Sequence, residues 1–322
     1  MTLTIDLNDR KILYELDRDS RQPNKQIAKK VHLSEQVVGN RIKRLIENKI
    51  IDYFFVKTNP SSLGYIHLKI AFRLHNLTKE KEEQFLKELQ ESKGIFWLVS
   101  LRGKFDLIST LYVKNFADFS NYYEEIFGKW GDYILDRNIT ILERAYTYTQ
   151  VHLWPKQKAE EILYTKGSEE KVELGQKDLE ILRILNKNGR MPLIEIAQKA
   201  GISADTVNYR LRNLEKKRVI TGFGVKINFA RMGNSYSLIY LKLQNMNKEK
   251  YAKLETIAKY NKNIIIYVKS LGNHDIEFEV ITSNKEELDT LIRELKDCFV
   301  TEIKDYEILE VTQEHRLTYF PF

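Results

Sequence analysis

The chain is short of the residues that restrict or cross-link a backbone. Its 322 residues include one cysteine, Cys298, so no intrachain disulfide can form and a reducing compartment is expected. Five prolines and 14 glycines leave no room for a proline-rich, collagen-like or low-complexity segment. No apolar run approaches the roughly 18–20 residues needed to cross a bilayer, and the stretch Gly94–Leu101 has only the length of a buried strand. The start of the chain lacks the basic-then-apolar pattern of a signal peptide. A cytoplasmic address with no membrane partner is therefore expected. Catalytic signatures are missing too. The six histidines are scattered and none pairs with another at metal-binding spacing on a helix. There is no G-x-x-x-x-G-K-[ST] loop, no G-x-G-x-x-G after a strand and no G-x-S-x-G elbow. His274 beside Asp275 is the most enzyme-like feature and reads as a turn histidine. No catalytic residue, metal site or cofactor is expected.

What is present is a long internal repeat. Shifted by 169 residues, the chain matches itself without a gap: Asp9, Ile12, Leu13 and Leu16 fall on Asp178, Ile181, Leu182 and Leu185. Ser34, Val38, Arg41 and Leu45 fall on Ser203, Val207, Arg210 and Leu214, and between Asp9 and Gly64 there are 19 identities in 56 paired positions. A period this long means two whole modules rather than a solenoid of small ones. With 43% hydrophobic and 30% charged residues the chain is globular. Its 52 Lys+Arg against 45 Asp+Glu leave +7, a surplus that suits a polyanion without specifying one.

Each module reads as three short helices followed by an alternation of strands and helices. Leu7–Arg18 places Leu7, Ile12, Leu13 and Leu16 on one side, the stripe of an amphipathic helix. Pro23 suits the first turn of a second helix, Asn24–Val31, which buries Ile27 and Val31. Ser34 is placed to cap a third helix running to about Asn48, with Val38, Ile42 and Leu45 inward. The second copy has Gly201 at the turn, where positive φ is cheap, whereas the first has His32, a departure expected to alter the angle between its helices. Strands are expected at Ile50–Val56, Ile66–Leu74, Gly94–Leu101, Leu107–Val113 and near Asn138–Ala145, with helices at Lys79–Glu91 and near Phe116–Phe127. After the first strand the order is that of a ferredoxin-like β-α-β-β-α-β unit. Residues 147–173 bridge the halves and carry Val151, Leu153, Trp154, Ile162 and Leu163, too apolar for a plain tether, so part of the bridge is expected to pack as a strand and a helix.

Two helices joined by a short turn, with a Ser-capped third helix carrying Arg, make a helix-turn-helix candidate. Together with D-R-K-I-L-x-x-L from Asp9, I-A-x-x-V-x-L-S from Ile27, V-x-x-R-I-x-R-L from Val38 and N-P-x-x-L-G from Asn59, the sequence resembles the Lrp/AsnC (feast/famine) family of transcription regulators. The second copy repeats these features at Ile196-Ala197, Ile202-Ser203, Val207-x-x-Arg210-Leu211-x-x-Leu214 and Val219-Ile220. The resemblance implies an α+β fold of two repeats, each a helix-turn-helix DNA-binding domain followed by a ferredoxin-like βαββαβ domain. The expected boundaries are 1–58 and 59–150, a linker at 151–173, then 174–228 and 229–322. The usual member carries one copy. A tandem chain is accordingly expected to act as a fused dimer, its two ferredoxin-like domains paired sheet to sheet and its heads about 34 Å apart, one turn of double-stranded DNA.

A recognition helix reads bases from the side away from its own core, mainly with its N-terminal turns. In the first copy the candidate DNA-facing set is Ser34, Gln36, Val37, Asn40, Arg41, Lys43 and Arg44, with Glu47 further along; Arg41 lies nearer the core edge and suits a phosphate or an internal ion pair. In the second copy it is Ser203, Asp205, Thr206, Asn208, Tyr209, Arg210, Arg212 and Asn213. The two faces differ almost completely, so unlike half-sites are expected. Gly103, Asp106, Gly272 and Asp275 form matching G-x-x-D turns, which the resemblance places near an effector pocket for an amino-acid-like molecule and which also suit an ordinary hairpin. Homo-oligomers of fused dimers are a further expectation from the family. Two rival readings stand beside the regulator. One is a siroheme-decarboxylase-like enzyme, whose associated Cys-Tyr-x-Arg and Trp-Pro-Tyr-Asn signatures are absent although Trp154-Pro155 is present; the other is a sequence-independent DNA-packaging protein.

Overall fold

The structure is a computed structural model and describes residues 5–155, 157–166 and 171–320. The first head comprises α1 (Leu7–Arg18), α2 (Asn24–Val31) and α3 (Glu35–Glu47), followed by strand β1 (Ile51–Thr58). Asp6 caps α1 in a reciprocal box: its carboxylate accepts from Asp9 N at 2.8 Å, and that of Asp9 accepts from Asp6 N at 3.1 Å. Pro23 is the cap residue of α2 rather than part of its first turn. Ile12, Leu13, Leu16, Ile27, Val31, Val38 and Leu45 are buried as their periodicity requires, but Leu7 is 59% exposed and does not join the stripe. At the turn, His32 adopts φ 57°, ψ 46°, and Gly201 φ 62°, ψ 40°. The histidine thus takes the glycine's left-handed conformation, at a local strain of about 1–2 kcal/mol.

Next come β2 (Ile66–Leu74), α4 (Lys79–Glu91), β3 (Ile95–Arg102), β4 (Leu107–Val113), α5 (Phe116–Trp130) and β5 (Ile134–Tyr148). The bridge contributes β6 (Glu161–Lys166), antiparallel to β5, and a 3-10 turn at Val151–Leu153; among the described residues the expected helix is no more than this turn, and residues 167–170 of the bridge lie outside them. The second copy follows as α6 (Gln176–Lys187), α7 (Leu193–Ala200), α8 (Ala204–Lys216), β7 (Ile220–Ile227), β8 (Ser235–Leu243), α9 (Lys248–Tyr260), β9 (Ile264–Leu271), β10 (Ile276–Thr282), α10 (Lys285–Cys298) and β11 (Ile303–Leu317).

The two ferredoxin-like sheets do more than face each other. The 15-residue strands β5 and β11 each serve both sheets. Residues 134–141 of β5 pair with β2 and residues 141–147 with β9; β11 pairs with β8 up to Glu310 and with β3 beyond it. The hydrogen bonds therefore run β2-β4-β3-β11-β8-β10-β9-β5 and back to β2, all antiparallel. The expected face-to-face pairing becomes a closed ring of eight strands, a barrel, with β6 flanking β5 outside it. Inward residues of both copies fill it, among them Ala71, Trp97, Val99, Ile108, Leu238, Tyr240 and Leu309. Outside, α4 and α5 cover Ile70, Phe72 and Leu98, and α9 and α10 cover Ile239, Phe278 and Val280. Buried on both faces, β3 and β4 read as near-continuous apolar runs.

The heads are interlocked as well. β1 and β7 pair antiparallel in a two-stranded ribbon, with Phe54 opposite Val225. Val225 and Ile227 complete the core of the first head, and Val56 joins that of the second. The ribbon strands end at Thr58 and Ile227, and each head takes part of its core from the other copy.

Candidate nucleic-acid interface

The helices α3 and α8 start alike. Ser34 Oγ accepts from Val37 N at 3.2 Å and Ser203 Oγ from Thr206 N at 3.1 Å, each filling a backbone donor the helix cannot satisfy itself. With Val38, Ile42 and Leu45 inward on α3, the residues Gln36, Val37, Asn40, Lys43 and Glu47 are exposed. With Val207, Leu211 and Leu214 inward on α8, Asp205, Tyr209 and Arg212 are exposed, Tyr209 at 71%, while Thr206, Asn208 and Asn213 are half-buried. Asn208 and Arg212 line a groove of about 400 Å³ whose other wall includes Arg18, Asp19 and Arg21 of the first head.

The arginines divide differently from the expectation. Arg41 binds Asp6 at 2.7 Å and Asp9 at 2.8 Å, and Arg44 also binds Asp9, which is fully buried. Arg210 binds Asp178 at 2.9 Å. Of the two roles open to Arg41, the internal ion pair is the one formed, and Arg44 and Arg210 likewise anchor the third helix to the first rather than standing free toward solvent. Ser34 and Ser203 are occupied in capping.

A second pair of arginines, not singled out from the sequence, joins the heads. Arg21 donates to Gly189 O at 2.8 Å and Met191 O at 3.0 Å and lies 5.1 Å above the Phe223 ring. Its repeat-mate Arg190 donates to Asn24 Oδ1 at 3.1 Å and lies 5.3 Å above Phe54. Backbone contacts repeat the symmetry, Ser20 N to Phe223 O at 3.0 Å and Gly189 N to Phe54 O at 2.8 Å. The repeat itself was the available signal: Arg21/Arg190 and Phe54/Phe223 are identical pairs at the 169-residue offset. The recognition helices consequently sit on one braced unit.

The matching G-x-x-D turns serve the barrel seam. Gly103 and Gly272 have φ of 146° and 149°, and a Cβ there would lie 2.7 Å from Leu309 Cδ2 and 2.8 Å from Ile139 O respectively. Only glycine lets the opposite copy's long strand pass so closely. Asp106 accepts from Leu74 N and Asp275 from Leu243 N, both at 2.7 Å. Each carboxylate is thus occupied by a strand end, and the hairpin reading of these turns accounts for all four residues. His274 sits in its turn but is buried, stacked on Tyr240 at 3.8 Å.

Comparison with known proteins bears on what this scaffold does. Residues 5–46 match the AsnC-type helix-turn-helix domain, and residues 174–221 the winged helix-turn-helix DNA-binding domain. The HTH-type transcriptional regulator LrpA of Pyrococcus horikoshii is 32% identical over 120 residues, which are 83% of its length and 37% of this chain. The HTH-type transcriptional regulator FL11 of Pyrococcus abyssi is 30% identical over 123 residues, 80% of its length and 38% of this chain. This chain belongs to the Lrp/AsnC family. It is a DNA-binding regulator of that type, and relatives that match little more than a third of it are consistent with two family units in tandem. The crystal structure of the siroheme decarboxylase NirDL resembles the fold at a TM-score of 0.62, covering 96% of this chain and 92% of that one at 16% identity. At that identity the likeness concerns the fold alone and does not favour the enzymatic rival. No helix among the described residues is long and apolar enough to span a membrane.

Proposed function

We propose that one Lrp/AsnC chain acts as a complete fused dimer whose two unlike heads read a two-part, asymmetric site on double-stranded DNA. The observation that carries this reading is the bracing of α3 and α8 into one unit by the β1/β7 ribbon and the Arg21 and Arg190 contacts. Their exposed faces differ at nearly every equivalent position: Gln36 against Asp205, Asn40 against Tyr209, Glu47 against Lys216. Gln36 and Asn40 would read one half-site, with Lys43 on an adjoining phosphate, and Thr206, Asn208, Tyr209, Arg212 and Asn213 the other, through base edges and adjoining phosphates. The exposed run Lys216-Lys217-Arg218 gives the second head extra phosphate contacts. The chain would act in the cytoplasm without a catalytic step, and an amino-acid-like effector or a homo-oligomer of fused dimers would modulate it. The test is selection of binding sites from random duplex DNA, with affinity followed across salt. A two-part motif with unlike halves about one helical turn apart, and a steep salt slope, is expected. A palindromic motif would overturn the two-reader assignment, and tight binding without a motif would indicate packaging instead.

A further inference from the structure

The inward positions of the barrel carry charge. On β2 they include Lys69 and on β10 Glu277 and Glu279, all nearly fully buried. Lys69 Nζ binds both carboxylate oxygens of Glu277, at 2.5 and 2.6 Å, and His274 Nε2 stands 3.7 Å from the same carboxylate. Burial alone would raise the Glu277 carboxyl, but Lys69 and His274 hold it below the usual range. Glu279 has no such base: its hydrogen bond comes from Tyr236 Oη. Burial, then repulsion from Glu277, push its carboxyl up to about 7. The groups facing it are Lys69 on β2, Glu277 on its own strand, Tyr236 on β8 and Glu314 on β11.

Glu279 lines a cavity of about 120 Å³ between the barrel and the β1/β7 ribbon, with the chain end at Leu317 and Tyr319 along one side. Trp97 forms part of its wall on the barrel side and Phe55 on the ribbon side, where the Phe55 ring stacks on Tyr319 at 4.8 Å. Every lysine on the wall already faces a carboxylate: Lys69 with Glu277, Lys226 with Glu314 at 2.7 Å, and Lys57 with Asp17 at 4.0 Å. Meanwhile Thr110 Oγ1, on a side chain 1% exposed, has no hydrogen-bond partner among the described residues, and Thr110 lines the same space. Buried polar groups are seldom left so. An anionic ligand would find no free base here, whereas a cation would find an uncompensated carboxylate, a free hydroxyl and aromatic faces. The volume is close to that of cavities that take a benzene-sized molecule.

We propose that this cavity binds a small organic cation, a primary amine on a compact apolar or aromatic body, with its ammonium group on Glu279. Such a molecule touches the ribbon that carries the heads and the barrel beneath it. Calorimetric titration of the full chain with benzylamine, benzyl alcohol and benzoate tests this. Benzylamine is expected to bind at least tenfold more tightly than benzyl alcohol, and benzoate not at all. The amine stays charged over the range, so its affinity should rise roughly tenfold between about pH 6 and pH 8 as Glu279 gives up its proton. Glu279→Gln should erase the preference for the amine, and Thr110→Val should weaken the amine several-fold without removing that preference. Equal binding of amine and alcohol, or a preference that survives Glu279→Gln with no pH dependence, overturns the assignment. No DNA enters the titration, so its outcome is separate from that of site selection.

Discussion

The two heads share a backbone and differ in how their third helix is tied down. In the first, a fully buried Asp9 receives both Arg41 and Arg44, and Asp6 adds a further bond to Arg41. In the second, Asp178 keeps 16% of its side chain exposed and receives one arginine among the described residues, Arg210, because Asn213 stands where Arg44 does. α3 ends in Glu47-Asn48-Lys49; at the equivalent places of α8 stand Lys216-Lys217-Arg218. The first head thus spends its arginines on rigidity, and the second leaves more positive charge for a ligand. Duplication preserved the capping serines, the Asp–Arg tie and the inter-head arginines, and released the reading faces to diverge.

Substitutions can break or sharpen this contrast. Asp9→Asn should cost about 2–4 kcal/mol, because it strips two arginines of their shared buried partner. Asp178→Asn should cost about 1 kcal/mol or less, its pair being partly solvated. Denaturant midpoints of the two variants check this, and equal losses would show that the heads are anchored equally. On DNA, Arg212→Ala should lower affinity for the selected site by about 1–3 kcal/mol and relax the sequence of one half-site only. Lys43→Ala should weaken all sequences alike and reduce the salt slope by about one, a smaller effect read from titrations at several salt concentrations. The least effect is expected of His32→Gly. Relief of the left-handed strain, less the added freedom of glycine in the unfolded chain, should leave a gain of about 0.5 kcal/mol by thermal unfolding. Gly201→Ala, its mirror image in the second head, should lose stability in the same assay.

Elements set by local pattern were legible in the sequence. The helices of both heads and the strands of both ferredoxin-like units follow from periodicity, and the repeat confirms each by its twin. What was hidden depends on partners elsewhere in the chain. Leu7 belongs to the apolar pattern yet is exposed, while on the same helix Asp9 is buried under Arg41 and Arg44, Glu15 under Gln22 and Lys30, and Asp17 under Gln150 of the bridge. The alternation Ile276-Glu277-Phe278-Glu279-Val280 reads as a strand with one wet face, and only barrel closure by the first copy turns those glutamates inward. On the recognition helices, periodicity found the outward positions but could not tell a free arginine from one held by a carboxylate 32 residues earlier.

The crossing of β5 and β11 has a consequence for the order of events during synthesis. Arg102 on β3 is paired with Glu310, and Trp97 with Leu317, so the N-terminal half waits for more than 200 residues before its sheet is closed. At 5–20 residues per second that interval is about 10–40 s, during which β3 and the outer half of β5 lie open as templates for any strand that arrives. Two separate half-chains would meet this hazard at every encounter with an unrelated partner. Joining them by a bridge of about 25 residues holds the correct partner at an effective concentration of order millimolar as soon as it is made.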